Sequence, residues 1–337
     1  MIKRCFLHVG FHKTATTSFQ LTLQHNRKLL EQEGIFLPKF RGKKQKFSAN
    51  HSGQIRDVFD EKAQHLWDGS GQSNPSIDKK QQTVYNHCQS LSRLLDQDHD
   101  ILISGEGIST MPEQSLVRLK TKLEQHGFLI EPFALVRSPY AFITSALQQT
   151  IKNGKYNPLI GLMAGQGSAS DKAFKIPSTS KSISTLNRIF GERMNYVPFK
   201  TATNHPGGPV LFLLQNVLRL KQTDQYQLIN ANESKSNVSI RFKNFLNQQN
   251  PHADQGKLRS LFKTISLQSE QTKFLLTQQE FELIESNFKK VKREMKRKLG
   301  KTFVEEKISF SSEFSADETN QLLSQLSQKL YEFAIKA

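Results

Sequence analysis

Apolar and polar positions along this chain alternate in two rhythms, and the order of those rhythms sets the expected fold class. A short apolar run ends at Gly10. Over 16–33 the spacing of Phe19, Leu23, Leu29 and Leu30 marks one face of a helix, with Gly34 as its stop. Ile35-Phe-Leu-Pro begins another extended piece. Residues 41–80 are polar and irregular, most loop-like at Gly69-Ser-Gly-Gln-Ser-Asn-Pro. A helix over 78–95 leads into the apolar strand 101–104. The next helix, 113–126, places Leu116, Leu119 and Leu123 on one face, and Gly127 closes it. Residues 128–136 read as a strand, broken or delayed by Pro132. Strands alternating with helices imply an α/β chain of three layers, built on a central, mainly parallel sheet covered on both faces.

Later segments add helices rather than repeats. Residues 154–183 form a long Gly/Ser-rich connection, expected to be a mobile loop that helps choose a substrate. Helical character returns over 183–190, extended character over 194–199, and helical character again over 208–220. The final third is basic and mostly helical, with apolar stripes around 281–291 and 322–335. The expected division is an α/β domain over 1–250 and a basic helical extension over 251–337 packed on the same domain.

Composition narrows the class of partner. The 337 residues carry 47 Lys+Arg against 30 Asp+Glu, a net charge of +17. Such an excess calls for an anionic partner: an acidic glycan, an anionic lipid headgroup, a phosphorylated cofactor or nucleic acid, with no specific nucleic acid expected. Part of it lies in the run 288–301. That run is either the solvated face of a helix or a peripheral contact with a membrane surface or polyanion, and the run alone does not choose. There are two cysteines, and Cys5 lies in the first apolar strand, where a buried free thiol is expected rather than a disulfide. Low cysteine use, no visible signal peptide and no apolar run near the roughly 18 residues needed to span a bilayer point to the cytoplasm. His and Cys are scattered without metal-ligand spacing, so no metal is expected.

The densest chemistry lies between residues 6 and 18, Phe-Leu-His-Val-Gly-Phe-His-Lys-Thr-Ala-Thr-Thr-Ser. An apolar run ends in glycine, passes His12 and Lys13, and enters a hydroxyl-rich turn that opens a helix. Free N–H groups and the helix dipole favour a phosphate or sulfate there. Lys13 adds a point charge, and Thr14, Thr16, Thr17 and Ser18 add hydroxyl donors. The nucleotide P-loop pattern is absent, because His12 rather than glycine precedes Lys13. Two further groups follow predicted strands. Arg137 comes directly after 128–136, with Pro139 opening a helix that carries Ser145 eight residues after Arg137. A guanidinium fork with a hydroxyl makes a phosphate clamp. Ser104-Gly-Glu106-Gly-Ile-Ser109 comes directly after 101–103, and a carboxylate between two glycines is placed for close approach to a ligand. Since ligands of parallel sheets gather at the carboxyl ends of strands, the three groups should converge.

The turn Lys-Thr-Ala-Thr-Thr-Ser resembles the 5′-phosphosulfate loop of the sulfotransferases that use PAPS (3′-phosphoadenosine 5′-phosphosulfate). In many bacterial and carbohydrate members that loop reads His-x-Lys-Thr-Gly-Thr-Thr-Ser or close to it. The departure is Ala15, where the family usually has glycine. Arg137 and Ser145 match the arginine and later serine that hold the cofactor's 3′-phosphate in that family. Gln148-Gln149-Thr-Ile-Lys-Asn-Gly also looks like bacterial sulfotransferase-like chains, as does Asn230-Ala-Asn-Glu-Ser-Lys-Ser-Asn, whose Asn232, Ser234 and Ser236 either bind cofactor or cap a helix. The resemblance covers about residues 1–250 and implies a P-loop-like sulfotransferase fold, with PAPS or its product PAP bound by residues 12–18, Arg137, Ser145, Asn232 and Ser234. Lys13 would stabilise the leaving group. Glu106 matches the glutamate that serves glycan members as general base, while His12 and His51 remain rival bases, as cytosolic members use histidine. The implied activity is sulfuryl transfer to a hydroxyl or amine of an acceptor, a glycan, lipid or small molecule. The Lys-Gly-x-x-Gly-x-Trp element of cytosolic members is not found, and the one tryptophan is Trp67. Two other readings share these features: a P-loop-type nucleotide-dependent kinase, and a non-catalytic polyanion binder built on the basic final third.

Overall fold

The computed structural model describes residues 2–40, 47–67, 79–162, 167–168, 176–231, 235–249, 273–312 and 316–336. In chain order the main elements are β1 (Lys3–Gly10), α1 (Thr16–His25), α2 (Arg27–Gln32), β2 (Ile35–Phe36), α3 (Ser52–Val58), α4 (Lys79–Leu95), β3 (Asp100–Ser104), α5 (Glu113–Gln125), β4 (Phe128–Val136), α6 (Pro139–Lys152), α7 (Ser180–Phe190), β5 (Asn195–Pro198), α8 (Phe199–Thr203), α9 (Gly208–Phe212), α10 (Asn237–Gln249), α11 (Gln278–Glu282), α12 (Glu285–Leu299) and α13 (Ala316–Lys336). The five strands form one parallel sheet in the order β2-β3-β1-β4-β5. The chain is therefore α/β, as the alternating pattern implies.

The chain divides into two compact units. One comprises Met1–Arg137, Thr179–Asn232 and Lys298–Val304; the other comprises Ser138–Ser178, Glu233–Arg297 and Glu305–Ala337. This division runs differently from a cut at residue 250: α10, expected with the α/β domain, belongs to the second unit.

The first unit holds the sheet. Successive residues of β1 point to opposite faces, and both faces are covered, so the strand is buried from Cys5 to Gly10 and apolar there apart from His8. On one face Phe6, Leu102, Phe133 and Val197 pack with Phe19 and Leu23 of α1, Leu30 of α2, Ala202 of α8 and Val210 of α9. On the other, Cys5, Leu7, Ile101 and Ile103 are equally buried. Cys5 and Cys88 are both free and buried, and burial pushes both thiols up from their ordinary range. The second unit is helical. Ile143 and Leu147 of α6, Ile240 of α10, Phe281 of α11 and Phe288 of α12 share one core with Leu159, Ile160 and Leu276. On α12 Phe288 and Met295 are buried, while Lys289, Lys290, Arg293, Lys296 and Arg297 are exposed. The basic side chains of the run thus lie on the exposed face of an amphipathic helix, where either reading of the run places them.

Three local expectations change. The helix expected over 16–33 is two helices, because Asn26 is buried between them. Its amide donates to Thr22 O at 2.8 Å and Gln227 O at 2.9 Å and accepts from Gln227 N at 3.0 Å, ties a continuous exposed helix would not make. The irregular stretch 41–80 contains α3 and a 3-10 turn, Glu61–Leu66. Pro132 does not break β4. It pairs with Leu7 of β1, and β5 joins only from Phe133, so at Pro132 the strand is still an edge, where a missing N–H is tolerated. Among the described residues no helix is long and apolar enough to cross a membrane.

Candidate functional site

The sheet order creates a crevice at one place. The chain leaves β1 toward β2 and β3 and leaves β4 toward β5, so connections diverge between the neighbouring strands β1 and β4. Ligands of open α/β sheets bind at such a switch point. The segment after β1 contains Lys13, the residue after β4 is Arg137, and Glu106 follows β3 on the other side of β1.

The backbone of the β1–α1 turn is unusual for its residues. Gly10 has φ 120°, Lys13 φ 67° and Ala15 φ 58°, while Thr14 between the latter two is not left-handed. Ala15 is the residue that starts α1, at ψ 21°. Alternation of hand over consecutive residues turns successive N–H groups toward one point, the concave nest that binds anions at P-loop and related sites. The open N–H groups of the first turn of α1 add to it. For alanine the left-handed state costs about 1–2 kcal/mol, and glycine adopts it freely. Ala15→Gly is therefore expected to raise stability by about 0.5–1 kcal/mol after the looser unfolded chain is allowed for. Urea denaturation checks this, and a fall in stability would show that the Ala15 methyl packs usefully.

The hydroxyls of the turn are largely spoken for inside the protein. Thr14 Oγ1 donates to Phe11 O at 2.6 Å, and Thr16 Oγ1 donates to Glu106 Oε2. Ser18 Oγ donates to Ala231 O at 3.2 Å and accepts from Ala231 N at 3.0 Å. Thr17 is half-buried. Besides these hydroxyls the turn carries its backbone N–H groups and the positive charge of Lys13. Thr14, Thr16 and Ser18 shape the turn, and Ser18 holds the chain that leads to residue 232.

Glu106 sits at the electrostatic centre. Its Oε2 accepts from Thr16, and its Oε1 lies 3.5 Å from His12 Nδ1. Burial alone would raise its carboxyl, but hydrogen bonds from His12 and Thr16 and the charges of His12 and Lys13 outweigh that and hold it below the usual carboxylate range. The opposite applies to Lys13: burial lowers its ammonium, Glu106 opposes the change, and Arg137 adds to it by repulsion. An anion between Lys13 and Arg137 removes that repulsion. Arg137 is half-buried with its guanidinium carbon 4.4 Å from the centre of the Phe199 ring, a cation–π stack that fixes its plane.

The two glycines beside Glu106 make room for protein rather than ligand. A β-carbon on Gly105 would lie 2.8 Å from Ser52 N, and one on Gly107 would lie 3.0 Å from the Ser52 β-carbon. This clamp, Asn50 to Ser52, left no local pattern in the sequence. His51 N donates to Ser104 O at 2.8 Å, Ser104 N donates to His51 Nδ1 at 3.1 Å, and Gly107 N donates to Ser52 Oγ at 2.9 Å. His51 is fully buried, not on a polar surface, and burial first, with the Arg27 charge, pushes its imidazole down to about 3. With Nδ1 engaged by a backbone N–H, the buried His51 ties the α3 segment to the end of β3.

Thus Lys13, His12, Thr16, Glu106 and Arg137 come together in one unit. Ser145 is half-buried on α6 in the other unit, and Asn232 and Ser234 lie outside the described residues. Comparison with known proteins finds no family model, no curated sequence and no solved structure that matches this chain.

Proposed function

We propose that this chain is a sulfotransferase that moves a sulfuryl group from PAPS to a hydroxyl or amine of an anionic acceptor such as a glycan. The observation that carries the reading is the turn of alternating hand at the end of β1, whose Lys13 feels the charges of both Glu106 and Arg137. A concave row of N–H groups flanked by two cations fits a phosphosulfate and a second phosphate. The backbone of 13–18 would hold the 5′-phosphosulfate, and Arg137 the 3′-phosphate. PAPS supplies the sulfuryl group already bonded to a good leaving phosphate. Lys13 neutralises the charge that grows on that phosphate, and fixed N–H donors do so without reorganising. The contacting pair of His12 and Glu106 provides for the acceptor's proton. Binding of PAP, the desulfated product, gives a direct test. At about 100 times its dissociation constant PAP should stabilise the protein by roughly 2.7 kcal/mol, read as a rise in Tm. A rise with ATP and none with PAP would replace this reading by a kinase.

A further inference from the structure

Two titratable side chains at this site touch each other, and their arrangement assigns them unequal parts. His12 Nδ1 lies 3.5 Å from Glu106 Oε1, and the other carboxylate oxygen is held by the Thr16 hydroxyl. The imidazole is the more open of the two, with 45% of its side chain exposed against 25% for Glu106. We infer that His12 is the proton acceptor for the incoming hydroxyl or amine, and that Glu106 is the positioning residue that orients it and stabilises its cation. This rests on the sulfuryl-transfer reading.

The argument is one of valence. A neutral imidazole has one N–H and one lone pair. Pointing the N–H of Nδ1 at a carboxylate leaves the lone pair on Nε2, as in the hydrolase triads where a buried carboxylate selects the tautomer. Glu106 itself is poorly suited to take the proton. Both its oxygens have protein partners, and Lys13 further favours its charged form. A base must hold the proton it removes, and a carboxylate stabilised in its ionised state resists that. Glu106 is well suited to a different task, because a fixed negative charge beside His12 favours the imidazolium that forms when the proton is taken.

The step then balances as follows. Nε2 takes the proton of the acceptor, whose freed electron pair forms the new bond to sulfur. The sulfur–oxygen bond to phosphate breaks, and its pair stays on the phosphate oxygen, which Lys13 neutralises. His12 finally releases the proton to solvent.

Nitrogen-15 NMR of the whole protein tests the orientation without donor or acceptor, with the His12 signals assigned by their loss in His12→Gln. The expected result is the Nδ1–H tautomer for neutral His12, changing toward Nε2–H in Glu106→Gln. An Nε2–H tautomer in the unaltered protein overturns the inference. Turnover tests the proton. His12→Ala should lose activity by about 10²-fold, keep the PAP-induced rise in Tm, and regain activity with added imidazole. Activity within twofold of the unaltered protein, or a loss that imidazole leaves uncorrected, overturns the inference while the donor reading stands. If PAP produces no rise in the unaltered protein, the donor reading fails, and the tautomer measurement still decides whether Glu106 orients His12.

Discussion

Lys13→Ala is expected to lower turnover by about 10²–10³-fold, the effect of removing a fixed donor from a developing oxyanion. Alanine keeps a β-carbon, so the left-handed backbone at φ 67° is no easier or harder to form than with lysine. The turn should survive and the loss should come from charge. Lys13→Arg should recover little, because a planar fork does not replace a compact ammonium. Steady-state kinetics with PAPS measures the effect, and the rise in Tm with PAP should shrink in parallel. Retention of turnover within twofold would remove Lys13 from the chemistry. The polyanion-binder reading expects a contrasting result, in which binding falls steeply with salt and is indifferent to Lys13.

Glu280→Gln is expected to destabilise the protein by about 3–5 kcal/mol, through a site remote from the chemistry. Arg241 and Glu280 are 2% and 1% exposed and joined by two bonds, 2.6 Å and 2.8 Å. Arg241 also donates to Gly161 O at 2.8 Å and Leu275 O at 3.1 Å, and Glu280 accepts from Thr277 N at 2.9 Å at the start of α11. Removing the carboxylate leaves a buried guanidinium without its counter-charge, and that uncompensated charge is what costs the energy. Replacing both partners by apolar residues of similar volume should recover much of the loss. The check is urea unfolding of the two variants beside the unaltered protein. A loss below about 1 kcal/mol for Glu280→Gln would mean that the carbonyl partners alone satisfy Arg241.

Much of the site was legible because its determinants are local. The order glycine, lysine, hydroxyls, helix is written within a few residues, and Arg137 and Glu106 each stand directly after an apolar run. Strand ends in a parallel sheet share one edge, so position in the chain was enough to bring these residues together. The handedness of Lys13 and Ala15 was not legible, since nothing in their side chains favours it; the surrounding turn imposes it. The roles of Gly105 and Gly107 were misplaced for a related reason. Their place beside Glu106 suggests openings toward a ligand, whereas the neighbour that needs the space is Ser52, more than fifty residues away. One missed signal was present. Thr277 and Glu280 stand three apart before an apolar residue, the signature of a capping box, and the box is formed. It located the start of α11, but nothing in it pointed to Arg241.

By itself the sequence determined the α/β class, the five strands and most helices, and the residues that gather at the strand ends. These follow from periodicity and from one geometric rule about parallel sheets, both of which act locally. Only the tertiary structure decided which groups face an anion and which are consumed within the protein. Thr14, Thr16 and Ser18 look alike in the sequence as hydroxyl donors, yet each is already bonded to a backbone or carboxylate partner. The physical reason is that a hydroxyl has a single proton to donate, and its recipient is set by which distant segment folds beside it.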